Sequence, residues 1–361
     1  MGEPLWKNDA FCGLFVDSYI GGTELDGGHI ANSLGLIAQI LERMVKRDVF
    51  MADADKAVLV KLQSLISQSS EVTNKMLAAK GAPELVAILN EWVAAVQTMP
   101  AGHVFLVPGG WRGTKTGWIA HLVERTDFGF YSFTTCNRGP DGVGYHPMKI
   151  IPHGNSSAQK IKMLASLRID NIPKERITDP GFWAQLLSEW ASPPSEFHRA
   201  EVVYDGLLPW LAGCEGSQRL ADRIDLGLID TADPRAWRTP ARCNTGASKS
   251  IMEAMRYQGN RWGLSHEKCK TLMLQIRHEA IAMACEDVFR FVPPPNGPLR
   301  TALEGNGVKV LPSLPDNIVT RGGQLAQIIG ILFTDDSNMS HEVSKRLKAQ
   351  CDAVFNRPSV L

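Results

Sequence analysis

Over the first hundred positions the apolar residues return every three or four places. From His29 to Arg47 they fall at Ile30, Leu34, Ile37, Ile40, Leu41 and Met44, one stripe of a helix. A second helix is predicted from Asp53 to about Leu77, with Val58, Leu59, Leu62, Leu65 and Ile66 on one face. A third runs from Pro83, suited to a first turn, to about Gln97. After a Gly-rich, irregular opening stretch, residues 1–99 therefore read as a helical unit. Its amphipathic faces suit packing or partner binding.

The pattern changes at Met99-Pro100-Ala101. His103 to Val107, Gly117 to Arg125, Gly129 to Thr135 and Tyr145 to Ile151 have strand character. PGGWRGTKT and Asp127 to Gly129 separate them as turns. Connections this short favour antiparallel hairpins. Helices are predicted at Ser156–Leu167, Asp179–Ala191, from Asn244 or Thr245 to Tyr257, from a Ser265 cap to about Asp287, and from Ser340 to about Phe355. Ala200–Ala212 is a further apolar segment. The expectation is an α+β protein. The helical unit would precede a core at 100–361, a mostly antiparallel sheet against helices with an insertion at about 155–235.

Composition narrows the function. Lys plus Arg is 38 and Asp plus Glu is 38, so no global positive field recruits nucleic acid. The apolar run around Leu325–Phe333 is too short to span a bilayer. The N-terminus lacks a basic region followed by an apolar one, and Trp6 stands where a myristoylation motif after Gly2 needs Ser or Thr. The seven cysteines are odd in number and form no CxxC pair, which fits a reducing compartment. The expectation is a soluble cytoplasmic protein, or an effector injected into a host cytosol, with no membrane, nucleic-acid, metal or cofactor partner. His266 and Cys269 share a helix face, but no second pair accompanies them. GGWRGTKT departs from a phosphate loop, because Thr114 precedes Lys115 where Gly is required.

Three residues suggest chemistry. Cys243, preceded by Arg242, falls where a helix begins. Free amides and the helix dipole there lower a thiol pKa and can hold an oxyanion. His121 lies in the strand WIAHLVERT, and Asn137 ends the next strand. A hairpin would set Asn137 beside the imidazole and let it fix the tautomer. Cys136, on a strand, gains no helix dipole and ranks below Cys243. Trp111, with Gly110 beside it, and Gly139, Tyr145 and His146 are candidates to line a cleft, since glycines let a peptide backbone come close. A plain turn is the other reading of 137–146.

The order His121, Asn137, then Cys243 opening a helix resembles the Ulp/SENP and adenovirus-protease-like cysteine peptidases over roughly Gly102–Tyr257. The resemblance implies a papain-like core in permuted order. It also implies cleavage of a peptide or isopeptide bond in a protein or peptide substrate, ubiquitin-like modifiers included. Cys243 would attack, His121 would act as base and acid, and Asn137 would orient it. Arg238 and the amides at Asn244 would hold the oxyanion. The chain departs from the family in three places. Leu122 follows His121 where the family has Trp; Trp237, Arg238 and Thr239 stand near where it has Gln; and Arg242-Cys243-Asn244 replaces Asp-Cys-Gly. If Gly117-Trp118 takes the place of a Gly-His pair, the base is missing. The alternative expectation is then a non-catalytic binding or scaffold protein on a degenerate peptidase fold.

Overall fold

The computed structural model describes residues 30–47, 52–152, 159–214, 237–240 and 246–291. The expected helix at Ser340–Phe355 lies outside them. The elements, in order, are α1 (Ile30–Lys46), α2 (Asp53–Ala78), α3 (Ala82–Thr98), β1 (Val104–Arg112), β2 (Thr116–Arg125), β3 (Tyr131–Cys136), β4 (Met148–Pro152), β5 (Gln159–Leu164) and β6 (Ser166–Ile172). They continue with α4 (Lys174–Ile177), α5 (Pro180–Ala191), a π-helical segment (Val202–Leu207), α6 (Leu208–Ala212), β7 (Trp237–Arg238), α7 (Gly246–Arg261) and α8 (His266–Phe291). The chain is an α+β protein with antiparallel sheets.

Four strands form one sheet in the order β1-β2-β3-β6, and β4-β5-β7 form a second. All pairs within these sheets are antiparallel. β2 lies inside the sheet and is buried on both faces from Gly117 to Val123, hence a run that is apolar but for His121. Phe133 of β3 meets Phe182 and Trp183, which places α5 on one face. On the other, Ser250 of α7 donates to the Trp118 carbonyl, and Arg168 of β6 reaches Tyr257. α1 packs on α7 and α2 on β1. The stripe residues Ile30, Leu34, Ile37 and Leu62 thus join one hydrophobic core with the sheet.

Local chemistry sets several boundaries. Asp179 Oδ1 accepts from the Phe182 amide at 2.9 Å, capping α5 with Pro180 in its first turn. Ser265 Oγ accepts from Lys268 N at the start of α8.

Three sequence expectations are corrected. PGGW is not a turn but the second half of β1, paired through Gly109↔Ile119, Gly110↔Trp118 and Trp111↔Gly117. Pro108 is tolerated because β1 is an edge strand. The glycines are required by close approach: a Cβ on Gly109 would lie 2.4 Å from His121 Nε2, and one on Gly110, at φ +138°, would lie 2.1 Å from the Gly117 carbonyl oxygen. The predicted helix at Ser156–Leu167 contains β5 instead. Lys160, Ile161, Lys162 and Met163 alternate, and Ile150↔Ile161 pairs it with β4. The predicted fourth strand begins at Met148, leaving Tyr145 and His146 in the preceding loop, and it joins the second sheet.

Candidate functional site

The loop after β3 is held by buried polar groups. The Asn137 amide N–H donates to the Ala165 carbonyl at the corner between β5 and β6, while Asn137 Oδ1 accepts from Gly139 N at 2.7 Å. Asn137 Nδ2 then donates to the Tyr204 hydroxyl at 2.9 Å. His146 Nδ1 is 2.6 Å from the Leu164 carbonyl oxygen, which can only accept, so Nδ1 carries a proton. In the neutral ring Nε2, 2.9 Å from the Tyr204 oxygen, must accept. The chain of donors runs one way: Asn137 to Tyr204 to His146 to the β5 backbone. Burial lowers the His146 pKa to about 4, against a smaller opposing effect of the Leu164 carbonyl. Burial also pushes the Tyr204 hydroxyl pKa up. Both are therefore neutral at pH 7.

Aromatic rings surround this chain. Tyr145 stacks on Tyr204 with centroids 4.5 Å apart, and Trp111 meets Tyr204 edge-on at 6.2 Å. Above them opens a cavity of about 790 Å³ walled by Trp111, Tyr145 and Phe197, with Lys115, Asp141, Glu196, Arg199 and Glu201 among its polar lining. Phe197 is 68% exposed. Burial raises the Asp141 pKa, with Lys115 pulling it the other way. The π-helical turn Val202–Leu207 aims Tyr204 inward.

The sequence-predicted residues divide sharply. Trp111 and Tyr145 line the cavity, and His146, Gly139 and Asn137 build its support. Gly110 lies inside β1 against β2 and does not line it. His121 and Asn137 do not pair as expected. His121 faces Thr135 across the β2–β3 ladder, and its Nδ1 lies 3.0 Å from Thr135 Oγ1. Its ring packs at 4.7 Å from the Phe133 ring, fully buried, and its Nε2 has no partner among the described residues. Burial lowers its pKa to about 3. The physical reason is register: Asn137 lies two residues past Thr135, beyond the end of β3, where Tyr204 and Gly139 take its amide. Arg238, expected at an oxyanion, lies on β7 with Nε 3.4 Å from Glu253. Cys243 and Asn244 lie outside the described residues. Cys136 is buried, its thiol pushed up by burial.

Sequence reasoning missed Tyr204, Phe197 and Glu253. Tyr204 stood in AEVVYDGLLPWLA as one apolar position among many, and only scarcity marks it, since the chain has 5 tyrosines. Among the described residues no cluster of three His, Cys, Asp or Glu side chains suits a metal. No helix among them is long and apolar enough to cross a membrane. The chain matches no protein-family model, no curated protein and no solved structure.

Proposed function

We propose that this chain is a non-catalytic binding protein that takes a peptide segment of a partner protein into the cavity above Tyr204. The observation that carries this reading is the cavity itself: about 790 Å³, walled by three aromatic rings, two of which, Trp111 and Tyr145, pack on the Tyr204 ring of the hydrogen-bond chain behind them. A site of this size suits a ligand of several residues' bulk. Three carboxylates, Asp141, Glu196 and Glu201, outnumber Lys115 and Arg199 in its lining. Together with the ring faces they favour a lysine or arginine side chain. The hydrolase reading rests on Cys243 with His121 as its base. A ring sealed between β2 and Phe133, with a pKa of about 3, is poorly placed to take a proton from a thiol in a cleft.

The test has two arms. Fluorescence polarisation against a library of labelled peptides should yield binders enriched in basic residues, and Phe197→Ala and Tyr145→Ala should weaken them at least tenfold. A ubiquitin-like or general thiol-reactive probe should show no labelling of Cys243 that His121→Ala abolishes. Peptide binding indifferent to both cavity substitutions, or His121-dependent labelling and turnover, would overturn the proposal.

A further inference from the structure

A second polar centre lies apart from the hydrogen-bond chain under the cavity. Glu253 of α7 is the shared counter-ion of three arginines. Arg138, just past β3, places Nη1 3.3 Å from its Oε2; Arg238 of β7 places Nε at 3.4 Å; Arg256 donates from one turn further along α7. Glu253 is 7% exposed and the arginine side chains 16–19%. Burial alone would raise the carboxyl pKa, but Arg256, Arg238 and Arg138 outweigh it and hold it at about 2. The cluster therefore carries one negative and three positive charges, an excess of two, and no second carboxylate joins it among the described residues.

The donors are unequally used. Arg138 gives Nη2 to the Thr239 carbonyl at 3.0 Å and Nη1 to Glu253. Arg238 makes its ion pair and no hydrogen bond among the described residues. Among the described residues the buried Nε of Arg138 has no acceptor, and that of Arg238 has only the long 3.4 Å contact with Glu253. Burial lowers the pKa of both guanidinium groups, with Glu253 opposing and Arg256 reinforcing the fall. Buried donors without acceptors and surplus buried charge are each unfavourable unless something supplies both oxygens and negative charge.

We propose that the Arg138–Arg238–Arg256 cluster binds a phosphate group. A dianion matches the excess of two charges, and its oxygens match the planar fork of Arg238. A single carboxylate would leave one charge uncompensated. Among the described residues Arg238 contributes only its contact with Glu253, so Arg238→Gln leaves Glu253 two arginine partners and should leave the protein folded.

The full chain is titrated at constant ionic strength with inorganic phosphate and, separately, with O-phosphoserine, which distinguishes a free anion from a phosphorylated side chain. Sodium chloride is the control, and binding is read by calorimetry and by melting temperature. At least one of the two should bind saturably, with a Kd that rises roughly tenfold in Arg238→Gln, as expected for losing a charged hydrogen-bond partner. Arg238→Lys, which keeps the charge without the fork, should fall between. If neither ligand raises the melting temperature beyond chloride, or if Arg238→Gln binds as wild type does while remaining folded by circular dichroism, the proposal fails.

Discussion

His121 and His146 are both fully enclosed, both neutral at pH 7, and both seated within hydrogen-bond reach of a hydroxyl, yet they do different work. His146 has a partner on each nitrogen, and those partners fix its tautomer and tie the 139–146 loop to Tyr204 and β5. Among the described residues His121 has one partner, Thr135, and a bare Nε2 against Gly109 and Phe133. Burial depth does not separate a histidine that organises a site from one that fills a core. The fate of the second nitrogen does.

The sharpest way to break this comparison is Tyr204→Phe. It removes one oxygen and strands two buried groups, Asn137 Nδ2 and His146 Nε2. Urea denaturation should show a loss of about 2–4 kcal/mol, from two unsatisfied groups at 1–3 kcal/mol each with partial relaxation. A loss below about 1 kcal/mol would mean the chain of donors is not what holds the loop.

Acid comes next. Both histidines have folded pKa values, about 3 and about 4, below the unfolded value of 6.5. The unfolded state then binds more protons, so stability rises with pH. Their contribution is complete above pH 6.5 and drains as pH falls toward the folded values. Each histidine gives a slope approaching about 1.4 kcal/mol per pH unit, so the two together should lose about 2–3 kcal/mol between pH 6 and pH 5. Urea midpoints across that window measure it. His121→Leu should halve the slope while moving stability at pH 7 by no more than about 1 kcal/mol. There the lost bond to Thr135 is offset by removing a bare nitrogen from hydrocarbon. An unchanged slope would show that His121 titrates normally and is reachable by water.

The sequence carried the helices well, because stripes such as Ile30, Leu34, Ile37 and Leu41 are local and periodic. It carried the β1–β2–β3 meander too, since short turns leave little choice of partner. It misread PGGW, because glycine and proline signal turns in isolation, whereas here Gly109 makes room for the His121 ring. It misread β5 because Ile161, Leu164 and Leu167 also fit helical spacing, while the pairing that decides the matter comes from Ile150 in β4. Asn137 was found as a site residue with the wrong partner. Its true partner, Tyr204, is supplied by a π-helical turn that no apolar period announces, 67 positions further on. The shared carboxylate Glu253 was equally hidden, since Arg138 and Arg256 meet it from positions 115 and 3 residues away.

The smallest effect on stability should accompany a large one on binding, and that pairing tests whether the cavity is a site or a packing defect. Phe197 is mostly exposed at the cavity wall, on a segment tied to the rest by the Ser195 amide bond to the Arg112 carbonyl. Phe197→Ala removes a ring that contributes little to the core, so the urea midpoint should move by less than about 0.5 kcal/mol. If the ring is instead one wall of a peptide site, the same substitution should raise the peptide Kd at least tenfold, the scale on which a buried aromatic anchor acts. Tyr145→Ala should weaken binding similarly but also cost stability, because its ring stacks on Tyr204 as well as facing the cavity. Equal losses of stability in the two variants, with binding unaffected in both, would make the cavity a gap in the packing and leave His146 and Tyr204 with a structural role alone.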